Sequence, residues 1–390
     1  MRFIRQLIPT LALFISIILI ITGVICSWCF YFGISFLVII FCIEYIYYLI
    51  NRKGQVDIKT PDGSNEPYHP SVLFFKDKWN GFSYWMAYTP FPISGKPYQD
   101  RWEYPCIAVS NDGILWEDAN NGRPLDELTK EQISCRDYFS DTHLVFNKEK
   151  DVIELYYRLS EKKNSINGQK GVWLFRRYSK DGLTWSDREV VFAPDDTSVY
   201  INHHPAISPA IVYIDKMYKM WYVIENKSMM TIHFAVSEDG INWKYASQCN
   251  FFGLSVNPWH IDCLYKDGKY YMITYDFSQR LLLWESKDGV AFKIRKEILT
   301  PSKKCGSFYK QTLYRSCLVK DHEYKVYFSA GNDRKVGIGL MAGAALENLK
   351  VISASSNYQR PQFFLDLLDK YTFVFRWFIW KTTGRKIGVL

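Results

Sequence analysis

The chain has 390 residues, 48% of them hydrophobic and 17% aromatic, so it can bury a large core, and its length does not force a second domain. The net charge of +8 is spread out, with no basic stripe interleaved with aromatics, which argues against a nucleic-acid surface. Of the nine Cys, the six outside the N-terminal apolar region (Cys106, Cys135, Cys249, Cys263, Cys305, Cys317) have no CxxC spacing and no paired His motif, so they read as reduced core thiols rather than a zinc site.

From Leu7 to Ile50 the only charged residue is Glu44. One helix of that length would run about 66 Å at ~1.5 Å per residue, about twice the thickness of a bilayer core. Two transmembrane helices are expected instead, at about 7–26 and 30–50, forming a membrane anchor over residues 1–52. Arg2 and Arg5 precede the first span, and Arg52 and Lys53 follow the second. The positive-inside rule then puts both ends in the cytoplasm, in an inner or plasma membrane, with the lipid bilayer as a partner. Tyr45, Tyr47 and Tyr48 would form an interfacial belt.

Residues 53–64 read as a linker, and residues 65–358 read as a run of repeats. One phrase recurs four times: SNDGILW ending at Trp116, SKDGLTW at Trp185, SEDGINW at Trp243 and SKDGVAF at Phe292. The spacing, about 50–70 residues, is that of a four-stranded propeller blade with loops. Each unit opens on a short apolar strand: HPSVLFF from His69, SDTHLVF from Ser140, SPAIVYI from Ser208, HIDCLYK from His260 and YRSCLVK from Tyr314. A turn, an aromatic strand (YWMAYT, IELYYRL, YKMWYVI, YYMITY, YKVYFSA) and a third strand follow. Five openings predict five blades, hence an all-β, five-bladed β-propeller behind the helical hairpin. Within the phrase, Asp-Gly gives a tight turn between the third and outer strands, so Asp112, Asp181, Asp239 and Asp288 are structural and lie on the rim. Residues 359–390, apolar but carrying Arg376, Lys381, Arg385 and Lys386, read as an amphipathic basic segment.

The phrase S-x-D-G-x-x-W, the openings x-P-S/A-V/I and the turns K-D-G-x-Y-Y-M resemble the five-bladed propellers of glycoside hydrolase families 43 and 32 over roughly residues 65–345. In such folds the first strand of each blade lines the central channel, so the openings converge. The resemblance implies an Asp base in the first opening, an Asp modulator in the third and a Glu acid in the fourth. Those slots here hold His69, Ser208 and His260-Ile261-Asp262, while the second opening carries Asp141.

Five of the seven His fall at or beside openings: His69, His143, His203, His204 and His260. With Ser208, Trp259, Tyr314 and Arg315 they form the candidate substrate-binding set, the aromatic rings offering faces to a pyranose. Asp141 and Asp262 are the candidate catalytic pair, because glycosidic cleavage uses a proton donor and an opposing carboxylate. Glu103, Glu225, Asp276 and Asp333 are reserve carboxylates at strand ends. No ligand spacing demands a metal and no cofactor motif occurs, although a channel-bound metal ion or phosphate is compatible with the set; Arg315 with His260 would hold a phosphate. The expected ligand is a glycan or sugar phosphate. The expected activity is cleavage or transfer of a glycosidic bond in envelope or exopolysaccharide metabolism. The alternative is a non-catalytic glycan-binding or scaffold protein of a polysaccharide assembly system.

Overall fold

The computed structural model describes residues 15–16, 18, 27–51, 55–92, 103–166, 169–194, 207–226, 229–302, 308–331 and 336–352. Most of the first expected span, the C-terminal segment 359–390, His203, His204 and Asp333 lie outside these residues. The chain divides into two compact units, one made of Met1–Arg52, Lys304–Ser307 and Ser356–Leu390, the other of Lys53–Lys303 and Phe308–Ser355.

In the first unit the described element is one α-helix, Ser27–Asn51, over the second expected span. Its side chains are described from Tyr31 to Ile43, and most of them are exposed and apolar, Tyr31 and Phe32 each at 66%. Among the described residues no helix is long and apolar enough to cross a membrane.

The second unit contains five sheets that follow the chain as blades, each with four antiparallel strands and two of them with a fifth strand added in parallel. Their inner strands are Pro67–Trp79, Tyr138–Asn147, Ile207–Ile214, Pro258–Lys266 and Thr312–Lys320, the five openings read in the sequence. Each is followed by the aromatic strand, a third strand and an outer strand. Three of the turns between first and second strands, at Asn80-Gly81, Asp215-Lys216 and Asp267-Gly268, have positive φ at both residues. That left-handed pair matches the twist of a tight hairpin, and Asn, Asp and Gly adopt it readily. One apolar cluster fills the interface between each pair of neighbouring blades.

The repeated phrase forms the same turn four times. The Ser hydroxyl accepts from the Gly N–H at 2.8–2.9 Å, and the Asp Oδ1 accepts from the next two backbone N–H groups at 2.7–2.9 Å. The glycine has a second duty besides its positive φ, because each turn abuts an aromatic on the second strand of the preceding blade. A Cβ on Gly182 would lie 2.1 Å from the Trp85 ring. At the other three turns the aromatic also bonds the glycine carbonyl: Tyr327 to Gly113, Tyr156 to Gly240 and Trp221 to Gly289.

The stretch expected as a linker joins the ring. Asp57–Ile58 pairs in parallel with Leu115 and Trp116 of the first blade, while Val56 N–H donates to Ile338 O of the fifth at 2.8 Å and Gln55 bridges Gly339. This segment stitches the last blade to the first. Blades three and four are joined the same way, with Asn250–Phe252 parallel to the outer strand of blade four and Cys249 N–H bonded to Ile232 O.

Around the axis every seam is closed by a side-chain acceptor on one inner strand and a backbone N–H on the next. Ser71 Oγ takes Leu144 N–H at 2.8 Å, His143 Nε2 takes Ile211 N–H at 2.8 Å, and Ser208 Oγ takes Ile261 N–H at 3.3 Å. Asp262 Oδ2 takes Leu318 N–H at 2.8 Å, and Cys317 Sγ takes Val72 N–H at 3.1 Å, completing the circle.

Candidate active site

The five inner strands share one irregularity. Each slips register against its second strand at the opening: after Tyr68, Ser140, Ile207, Pro258 and Leu313. An extra residue at a bulge re-aims a side chain. In the first three blades the residue entering the bulge has a left-handed backbone: His69 at φ 52°, Asp141 at 53° and Ser208 at 54°. Pro70 and Pro209 cannot donate to a ladder, which helps explain why pairing breaks there. A His or Ser at such a φ is a strained choice that surrounding bonds must hold. Those bonds are present: Ser329 Oγ accepts the His69 N–H at 2.9 Å, and Asp141 Oδ2 accepts the Ser208 N–H at 3.3 Å.

The bulges and the fourth opening bring His69, Asp141 and His260 together, all three at most 3% exposed. Asp141 Oδ1 lies 3.3 Å from His260 Nδ1 and 4.0 Å from His69 Nε2. One ligand atom from each of the three falls within 4.8 Å of the others. Behind His69, its Nδ1 meets Glu103 Oε2 at 3.0 Å and Thr89 Oγ1 at 2.9 Å, so the Nδ1 proton is held from behind and Nε2 faces Asp141. A carboxylate behind an imidazole in this way fixes the tautomer of a metal-ligating histidine. Asp141 Oδ1 and both ring nitrogens of His260 are buried with no hydrogen-bond partner, although the Asp141–His260 contact is close. Two imidazoles and a carboxylate converging on an open position suit a divalent ion of the zinc type. Buried orphan acceptors cost free energy unless something satisfies them.

The electrostatics agree with that donor set. Burial alone would raise the Asp141 carboxyl, but Arg158 and then the neighbouring His260 outweigh it and hold the group well below the usual carboxylate range. Burial pushes His260 down to about 3, against the pull of Asp141. An ionised carboxylate and a neutral imidazole are the forms a metal requires.

Of the other residues singled out in the sequence, His143 and Asp262 sit two residues further along their strands, in the girdle that closes the seams. Burial, then Arg315, pushes His143 down to about 3, and burial raises Asp262. The Asp262 carboxyl accepts Leu318 N–H and stands 3.7 Å from His143 Nδ1. It thus serves the seam between blades four and five, outside the Asp141 cluster. Arg315 is 1% exposed, and its Nη atoms are occupied by Ser208 Oγ at 2.8 Å and Pro209 O at 3.0 Å, with Asp141 Oδ1 at 3.5 Å, so it braces the site from below and has no fork left for a phosphate. Ser208 is shared between Arg315 and the Ile261 N–H. Trp259 and Tyr314 form a half-buried wall: Trp259 Nε1 donates to Tyr314 OH at 2.7 Å, and the Tyr314 and His260 rings stand 4.0 Å apart, edge to face. Phe277, 52% exposed, extends that wall 5.3 Å beyond Trp259.

Two residues gain importance in three dimensions. Glu103 was legible only as a carboxylate near a strand end. Arg158 was not singled out at all; in the second strand of blade two it reads as one more residue among aromatics, yet its Nε lies 3.2 Å from Asp141 Oδ2 and 3.0 Å from Ser140 Oγ.

No protein-family model matches the chain. It is 27% identical over 338 residues to a curated protein of Flavonifractor plautii, "A type blood N-acetyl-alpha-D-galactosamine deacetylase", covering 74% of this chain. The match spans only 41% of that relative's length. A solved N-acetylgalactosamine deacetylase from F. plautii, in complex with blood group B trisaccharide, superposes with a TM-score of 0.59 at 23% identity, covering 74% of this chain and 94% of that one. A thermostable family-43 glycoside hydrolase superposes with a TM-score of 0.51 at 13% identity, covering 75% and 95%. These structural likenesses show the five-bladed propeller fold that the repeats and openings implied, one shared with glycoside hydrolases.

Proposed function

We propose that this chain is a metal-dependent hydrolase that removes an N-acyl group from an amino sugar within a glycan. The observation that carries the reading is the buried His69–Asp141–His260 face with Glu103 behind it. An ion held there would polarise a water and an acyl carbonyl. The rest falls to the chain's own groups. Asp141, kept ionised by Arg158, holds one ligand position, Glu103 fixes the His69 ring, and the wall of Trp259 and Tyr314 offers a ring face to the sugar. Glycosidic cleavage by an Asp141–Asp262 pair is less favoured, because Asp262 is committed to the Leu318 N–H. The deacetylase activity named for the Flavonifractor relative points the same way.

The membrane part of the reading is also a proposal: the exposed apolar side chains of residues 31–43 support an anchor, the flanking basic residues support a cytoplasmic propeller, and envelope polysaccharide metabolism is the setting proposed for it. A reporter fused after Leu390 that works only outside the cell would overturn that orientation.

The deciding assay is incubation of the full chain with oligosaccharides containing N-acetylated amino sugars, reading acetate and new reducing ends separately. Acetate release without reducing ends, abolished by a chelator and restored by zinc or a similar divalent ion, is expected. New reducing ends, or chelator-resistant release, would refute it.

A further inference from the structure

Two guanidiniums touch the Asp141 carboxylate, and they are used differently. Arg315 spends both Nη atoms on Ser208 and Pro209. Arg158 meets Asp141 and Ser140 through Nε. Among the described residues its two Nη atoms make no hydrogen bond, and the side chain is only 9% exposed. Its guanidinium carbon lies 5.9 Å from the centre of the Tyr138 ring, on the strand that carries Asp141, so the fork stays beside the cluster. A guanidinium this buried, with its planar pair of donors unfilled, is a ready receptor for an oxygen that carries or develops negative charge.

We infer that the free fork of Arg158 is an oxygen-binding subsite, one that takes the acyl oxygen of the substrate during hydrolysis and the carboxylate of the released acid afterwards. This rests on the amide-hydrolysis reading above. In that step the water oxygen bonds to the acyl carbon, and the carbonyl π pair moves onto the oxygen that the Nη groups hold. When that pair returns, the C–N bond breaks. The nitrogen leaves as an ammonium with both protons of the water, and the acid departs as a carboxylate. Donors preset where charge develops stabilise the transition state more than the ground state.

The test uses the full chain and two variants, R158A and R158K, the second keeping the charge but losing the planar fork. Acetate affinity by calorimetry, metal content by mass spectrometry and steady-state acyl release are measured on each. Expected are acetate binding at least tenfold weaker in both variants and kcat lowered about 100–1000-fold in R158A. KM should change little, metal content of R158K, which keeps the charge beside Asp141, should equal that of the parent, and guanidinium chloride should partly restore metal-loaded R158A where sodium chloride does not. Unchanged acetate affinity in R158K or R158A overturns the subsite, whatever the activity. Loss of metal in step with loss of activity in the charge-keeping R158K would also overturn it, by making Arg158 a support for Asp141 only. If the parent releases no acetate from any amino sugar yet binds free acetate through Arg158, the hydrolase reading fails and the subsite stands.

Discussion

At the scale of single residues, the site depends on which atoms are left over once ordinary bonding is complete. Glu103 illustrates the point. Its Oε2 holds His69 Nδ1 at 3.0 Å, which leaves Nε2 as the only ring nitrogen able to meet Asp141. Glu103→Gln keeps the shape but can turn an N–H toward the imidazole, so metal affinity should fall by about 10–100-fold with the fold intact. Titration of the metal-free protein with zinc would measure it, and an unchanged affinity would remove Glu103 from the site. His69, Asp141 and His260 could be found in the sequence because all three fall at the strand openings. Glu103 and Arg158 could not be ranked, since one lies just before a strand and the other sits mid-strand, where nothing in the local pattern marks a residue that reaches the axis.

At the scale of elements, the seven-residue phrase was the most legible feature, because a turn made by its own side chains writes itself into contiguous sequence. Its carboxylates give the fold an acid-sensitive part. Backbone donors, Thr184 N–H foremost for Asp181 and Ala291 N–H foremost for Asp288, hold these carboxyls below their usual range. The unfolded chain therefore binds more protons than the folded one as pH drops below the ordinary Asp value of about 3.9. The turns' contribution is thus fully present above that value and lost on further acidification. Urea midpoints followed from pH 6 to pH 2 should fall less steeply for Asp181→Asn than for the parent; parallel curves would show that the bonds carry no charge-dependent stability. The bulges were less legible. A register slip depends on the neighbouring strand, and only the Pro after His69 and after Ser208 hinted at it.

At the scale of the whole propeller, five repeats with five openings gave the blade count, but the closure did not appear in the pattern. Residues 53–64 read as a linker because so short a strand has no periodicity of its own; only the ring gives Val56 and Ile58 their place, 4% and 3% exposed. A chain beginning at residue 60 should melt several degrees lower than one beginning at residue 53, about 5 °C or more, since it loses the stitch between the last blade and the first. Equal melting temperatures would mean that the stitch is dispensable. The girdle around the axis has its own consequence. Its five locks use a serine, a histidine, a second serine, an aspartate and a cysteine, so neighbouring blades are keyed to one another and a copy of one inserted elsewhere would present the wrong key. A protein assembled this way can drift in its loops but not shuffle its modules.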